Sequence, residues 1–240
     1  MIGAALAYTL VAASANVVGA AAVAGRSRWS LRALENLIAL SAGFMISVSL
    51  VDLVPQSIER HGAQAGFVVL LGYLLVHLTQ HTVTPHFHFG EEVHSVTRAV
   101  SFSALVGLLL HTFVDGVAIA SGFEVSDELG ILVFIAILLH KLPEGLAISS
   151  LFLAAGASRR RALGAGAALG VATIMGALLT EHVGPLQWYG LALAAGVSIY
   201  VAASNLVPEF QAKREWRLPA SFFAGCALYL VARNVIALAG

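Results

Sequence analysis

The chain is 240 residues long, with thirteen Lys and Arg balancing thirteen Asp and Glu, and only 11% charged residues beside 59% hydrophobic ones. Its mean hydropathy is +0.88, and since a soluble domain is about 25% charged, an ordinary soluble globular protein is excluded. Zero net charge leaves no basic field to hold nucleic acid, and the single cysteine, Cys226, excludes an internal disulfide, a Cys-x-x-Cys zinc chelate and dithiol redox chemistry.

Crossing about 30 Å of hydrocarbon takes roughly 20 apolar residues in a helix. Eight such runs follow one another, at about 1 to 25, 34 to 55, 64 to 80, 99 to 122, 129 to 153, 162 to 181, 186 to 208 and 218 to 239. The first lacks the basic stretch that precedes the apolar core of a signal peptide, so it is expected to be a retained helix. The second is expected to break at Pro55 and the polar run Gln56 to Gln64. Between the third and fourth lies the one long loop, about 81 to 98, holding His81, His86, His88 and His94 with Glu91 and Glu92. Those histidines are candidate metal ligands, although a solvated linker would read the same way. Ser126-Asp127, Ser158 to Arg161, Gly184-Pro185 and Lys213 to Pro219 punctuate the rest. The expected fold is an all-α polytopic membrane protein, a single transmembrane domain over residues 1–240.

Helices that alternate in direction let the basic residues be assigned to sides. Arg26, Arg28, Arg32, Arg98, Arg159, Arg160, Arg161, Lys213, Arg214 and Arg217 fall on one side, and only Arg60 on the other. By the positive-inside rule the first side is cytoplasmic, which puts both termini outside and the His-rich loop inside. Glu59, Glu124, Asp127, Glu128 and Glu181 make the outer face acidic.

Two internal repeats are visible. A slide of 29 residues sets Leu109 to Ile119 over Leu138 to Ile148, both reading Leu-Leu-His-x-x-x-acid-Gly-x-Ala-Ile. A slide of 153 sets Gly43 to Pro55 over Gly196 to Pro208, both closing on Leu-Val-Pro, with Asp52 over Asn205. The simplest architecture places helices 1–3 and 6–8 as inverted halves around a central helix 4/5 pair, the plan of a transporter with a site at the repeat interface.

That site is expected at His111, Asp115, His140 and Glu144. An ionisable group at mid-membrane costs roughly 2.5 to 3.5 kcal/mol on insertion scales, so these residues need partners or a function. Residues four apart share one helical face, and two facing helices would bring two imidazoles and two carboxylates together, a ligand set suited to zinc or another late first-row ion. One such pair alone could equally be an intrahelical staple. Pro143 frees the Leu139 carbonyl beside His140, and Gly116, Gly145 and the Gly166-Ala-Ala-Leu-Gly170 stretch would admit close helix contacts. Asp52, near the outer end of helix 2, is either an entrance ligand or an interfacial cap.

His111-Thr-Phe-Val-Asp115-Gly116 and His140-Lys-Leu-Pro143-Glu144-Gly145 resemble the paired motifs in helices 4 and 5 of the ZIP family of divalent metal transporters. Eight helices, outside termini, a His-rich inner loop and inverted outer triplets also look like that family. The resemblance implies uptake of Zn2+, with Cd2+, Fe2+ or Mn2+ as further candidates, as transported substrate rather than prosthetic group, and no enzymatic activity. Thr112, Lys141 and Thr173 stand where members that hold two midplane metals carry ligands, so a single transported ion is expected, with the Lys141 ammonium in place of the second. Alternating access and a pH-sensitive site follow, since protons compete with metal for these ligands. The expected setting is a plasma (cell inner) membrane, with divalent metal ions and the lipid bilayer as partners and a homodimer as one option. Other readings remain: a b-type haem protein using His111 and His140, an intramembrane metallohydrolase, for which no His-Glu-x-x-His motif exists, and a metal exporter, since symmetry does not set direction.

Overall fold

The computed structural model describes residues 2–25, 31–82, 98–211, 213 and 215–239, and every regular element among them is helical. Eight helices are long and apolar enough to cross a membrane. They are α1 (Ile2–Ala24), α2 (Leu31–Val48, continuing to His61), α3 (Ala63–Thr82), α4 (Arg98–Val125), α5 (Asp127–Ala154), α6 (Arg159–Thr180), α7 (Gly184–Tyr200, continuing to Gln211) and α8 (Arg217–Ala239). Their starts are chemically marked. Ser126 accepts from the Leu129 amide at 3.1 Å and Ser158 from the Arg161 amide at 3.4 Å, capping α5 and α6.

Pro55 does not end α2, contrary to the sequence expectation. A widened π-type turn at Ser49–Leu53 absorbs the missing amide and the bulk of the ring, and the helix continues as Val54–His61. The same device recurs at Val201–Leu206 before Pro208 in α7, so the two Leu-Val-Pro repeats share an irregularity as well as letters. Gly62, at φ +60°, then reverses the chain between α2 and α3.

The helices pack in four parallel pairs, each crossing at glycines. A Cβ on Gly43 would strike the Phe222 carbonyl and one on Gly225 the Leu40 carbonyl, so α2 and α8 meet backbone to backbone. Gly72 and Gly196 do the same for α3 and α7, Gly19 and Gly145 for α1 and α5, and Gly116 and Gly176 for α4 and α6. Inverted symmetry relates these pairs: α1 corresponds to α6, α5 to α4, α2 to α7 and α8 to α3. The α2/α8 pair is also fastened at both ends. Glu35 binds Lys213 at 2.7 Å and Arg217 at one end, and Asp52 meets Tyr229 and Arg233 at the other.

Burial ranks the helices. About 61% of the apolar window of α5 is buried, against 17% for α3 and 11% for α8. Phe67, Leu71 and Leu78 of α3 and Phe223, Val231 and Val235 of α8 point outward, as side chains facing lipid do. Among the described residues α5 is a central helix, and it carries half of the motif pair.

Candidate metal site

His111 and His140 each stand at the midpoint of a 28-residue helix, α4 and α5, with an acid one turn on. All four predicted ligands are buried, none more than 5% exposed, and they converge. Asp115 Oδ2 lies 3.4 Å from His111 Nε2 and 3.3 Å from His140 Nε2, and Glu144 Oε1 is 3.9 Å from His111 Nε2. One ligand atom each from His111, Asp115 and His140 falls within 4.8 Å of the others. His140 Nδ1 donates to the Ala136 carbonyl at 2.9 Å, which leaves Nε2 to face the site, the arrangement that orients a metal-binding imidazole.

Two atoms here have no protein partner: His111 Nδ1 and Glu144 Oε1. A buried polar atom left unsatisfied costs about 1–3 kcal/mol, and of these two it is Glu144 Oε1 that faces the cluster, toward His111 Nε2. The space between the imidazoles, whose centroids are 5.5 Å apart, is occupied by the Asp115 carboxylate. No room remains there for a porphyrin, and the haem reading of His111 and His140 is not favoured.

Lys141 completes the cluster. It is fully buried, its ammonium 2.6 Å from Asp115 Oδ2 and 3.1 Å from Glu144 Oε2, so one cation bridges both carboxylates. Thr112 and Thr173 are fully buried nearby, but their hydroxyls donate to Leu109 and Leu169 of their own helices. Pro143 lies inside an unbroken α5, and the Leu139 carbonyl it frees accepts from Ser41 of α2 at 3.0 Å.

The remaining candidates lie elsewhere. Asp52 faces α8, accepting from Tyr229 at 2.5 Å and pairing with Arg233 at 3.2 Å. His81 belongs to the last turn of α3 and packs its ring 4.1 Å from that of His77. His86, His88 and His94 fall outside the described residues.

A pocket reaches the cluster from one side. Its walls include Ile38, Leu108, Pro143, Asn205 and Leu206 with His111, His140 and Glu144. Leu108 precedes His111, Pro143 follows His140, and Asn205 sits near the end of α7, so the opening faces the end of the molecule that carries the basic residues. A second pocket at the opposite end is lined by Glu124, Glu181 and His182. Between it and the cluster Tyr8 packs on Phe123 and Phe134, with ring centroids 5.1 and 4.8 Å away, and Ile119 is fully buried.

Two polar neighbours of the site were not among the predicted ligands. Asn205 enters the pocket from the π-type turn of α7. Asn16 reaches the cluster from α1, and Ala15-Asn16-x-x-Gly19-Ala20 is echoed by Ala172-Thr173-x-x-Gly176-Ala177 at an offset of 157, a signal present in the sequence but unread.

The comparisons with known proteins point to one family. The chain is 32% identical over 225 residues to the zinc transporter GufA of Myxococcus xanthus, covering 86% of this chain and 88% of that one. It is 27% identical over 219 residues to the zinc transporter ZupT of Shigella dysenteriae and 27% over 218 residues to ZupT of Escherichia coli K12, with 85% of each chain covered. The ZIP Zinc transporter family profile matches residues 88–232, which include both halves of the motif pair. With more than half of its length matched by that profile, the chain belongs to the ZIP zinc transporter family.

Proposed function

We propose that this chain carries zinc into the cytoplasm by alternating access, through one ion site made by His111, Asp115, His140 and Glu144. The observation that carries the reading is the buried group of His111, Asp115 and His140, adjoined through His111 by Glu144, whose Oε1 has no hydrogen-bond partner. Two nitrogens and two carboxylate oxygens suit a four-coordinate divalent ion. Lys141 takes the place of a second ion, holding Glu144 by Oε2 and Asp115 by Oδ2, the oxygen that also faces both imidazoles. The names of the relatives favour zinc over cadmium, iron or manganese.

The basic end is assigned to the cytoplasm of a plasma membrane by the positive-inside rule. On that assignment the open pocket at Asn205 is the inward exit, and Tyr8, Phe123 and Phe134 close the outer side. An ion enters from the acidic mouth when this packing parts, exchanges water for the four ligands, and leaves through the inner pocket once the outer packing has closed again, the arrangement this structure shows. Zinc and cadmium flux into proteoliposomes loaded with a metal-sensitive dye tests this. Wild type should transport, and His140→Ala and Glu144→Ala should lose flux at matched protein incorporation. Flux that survives both substitutions would place the pathway elsewhere.

A further inference from the structure

Asn16 is the one carboxamide in α1 and is completely buried. Gly145, next to Glu144, admits it: a Cβ there would collide with the Asn16 carbonyl oxygen, so α1 and α5 touch at the level of the ion cluster. The Asn16 side chain places its amide oxygen against two acceptors; exchanging the amide oxygen and nitrogen satisfies both, and in that assignment Asn16 donates to Glu144 Oε2 at 3.2 Å and to the Lys141 carbonyl at 2.5 Å. Lys141 Nζ donates to the same Oε2 at 3.1 Å. Two donors therefore converge on one carboxylate oxygen, while the other, Oε1, has none and faces His111.

We propose that Asn16 is a positioning residue that sets metal selectivity by confining Glu144 to single-oxygen binding. The inference rests on the reading of Glu144 as an ion ligand. With Oε2 held by Asn16 and Lys141, only Oε1 is offered, which matches the low coordination number of zinc. Manganese takes more oxygen ligands and gains from a carboxylate free to present both of its own. Thr173, the inverted counterpart of Asn16, spends its hydroxyl on its own helix, so α6 gives Asp115 no equivalent restraint.

The test is equilibrium binding of zinc and of manganese to the full chain purified in detergent, with the melting temperature as a check on folding. Asn16→Leu, which keeps the branching at Cγ and removes the donor, should weaken zinc binding about tenfold, the equivalent of one hydrogen bond. Manganese binding should change less than about threefold, so that the preference for zinc narrows. In a Glu144→Gln background the same substitution should change zinc binding less than about twofold. Equal weakening for both metals, or a full effect that persists without Glu144, would overturn the proposal and leave Asn16 a packing residue. Should Asn16→Leu fail to fold, Asn16→Ser is put through the same comparison. If His140→Ala and Glu144→Gln leave zinc binding unchanged, the ion site itself is misplaced; if both weaken it while Asn16→Leu is silent, only the role of Asn16 falls.

Discussion

Lys141 has no route to water, and its two carboxylate partners have few others. Removing one member of a buried ion pair costs about 3–5 kcal/mol because the other charge is stranded. Lys141→Ala should therefore destabilise the metal-free protein by an amount of that order, and zinc should restore much of the loss by binding between Asp115 and Glu144. Equilibrium dialysis should find two zinc ions per chain in the variant against one in wild type, with melting curves recorded with and without metal. A stoichiometry that stays at one would mean that Lys141 does not stand in for an ion. At this scale the His-x-x-x-acid pairs were legible because both members lie on one helix, where spacing alone fixes a shared face. Asn16, the Asp52 partners and the Ser41 bond to Leu139 were not: those contacts join residues from about a hundred to nearly two hundred positions apart, and nothing in local periodicity reports them.

Helix packing turns on the absence of side chains at four crossings. Gly116→Val would drive a branched side chain into the Thr173 carbonyl and force α6 away from α4 one residue beyond Asp115. We expect a loss of about 3 kcal/mol or more, above the usual cost of overpacking because backbone yields less than a side chain does. Gly164→Val, which meets nothing within 4 Å, should change stability by less than about 0.5 kcal/mol. Melting temperatures of the two variants in the same detergent check both statements. The apolar runs announced all eight helices, because length and hydropathy suffice for a membrane span. Proline was the misleading letter. Pro55 read as a stop, yet a widened turn carries the helix past it, and the identical Leu-Val-Pro ending in α7 was the clue that both prolines belong to one repeated design.

At the scale of the whole molecule, inverted symmetry was legible where the repeated residues are chemically distinctive, as with His, acid, Gly and Pro. It was faint in α1 and α6, where only small residues repeat. The symmetry is broken where it matters for charge. The bridge of Lys141 to both carboxylates means that the empty cluster, with neutral imidazoles, carries one net negative charge, and the same cluster holding a divalent ion carries one net positive charge. Each charge crossing the full membrane potential is worth about 2.3 kcal/mol per 100 mV. An interior-negative potential then pulls the loaded cluster inward and pushes the empty one outward, so both legs of the cycle run downhill in one field. Zinc uptake by proteoliposomes should accelerate when a potassium diffusion potential makes the lumen negative and slow when the potential is reversed, and Lys141→Met, whose longer side chain fills the space that alanine would leave to a second ion, carries two negative charges empty and none with a single zinc, so it should feel the field only on the return. One lysine would thus let a membrane's resting voltage help to drive the carrier round.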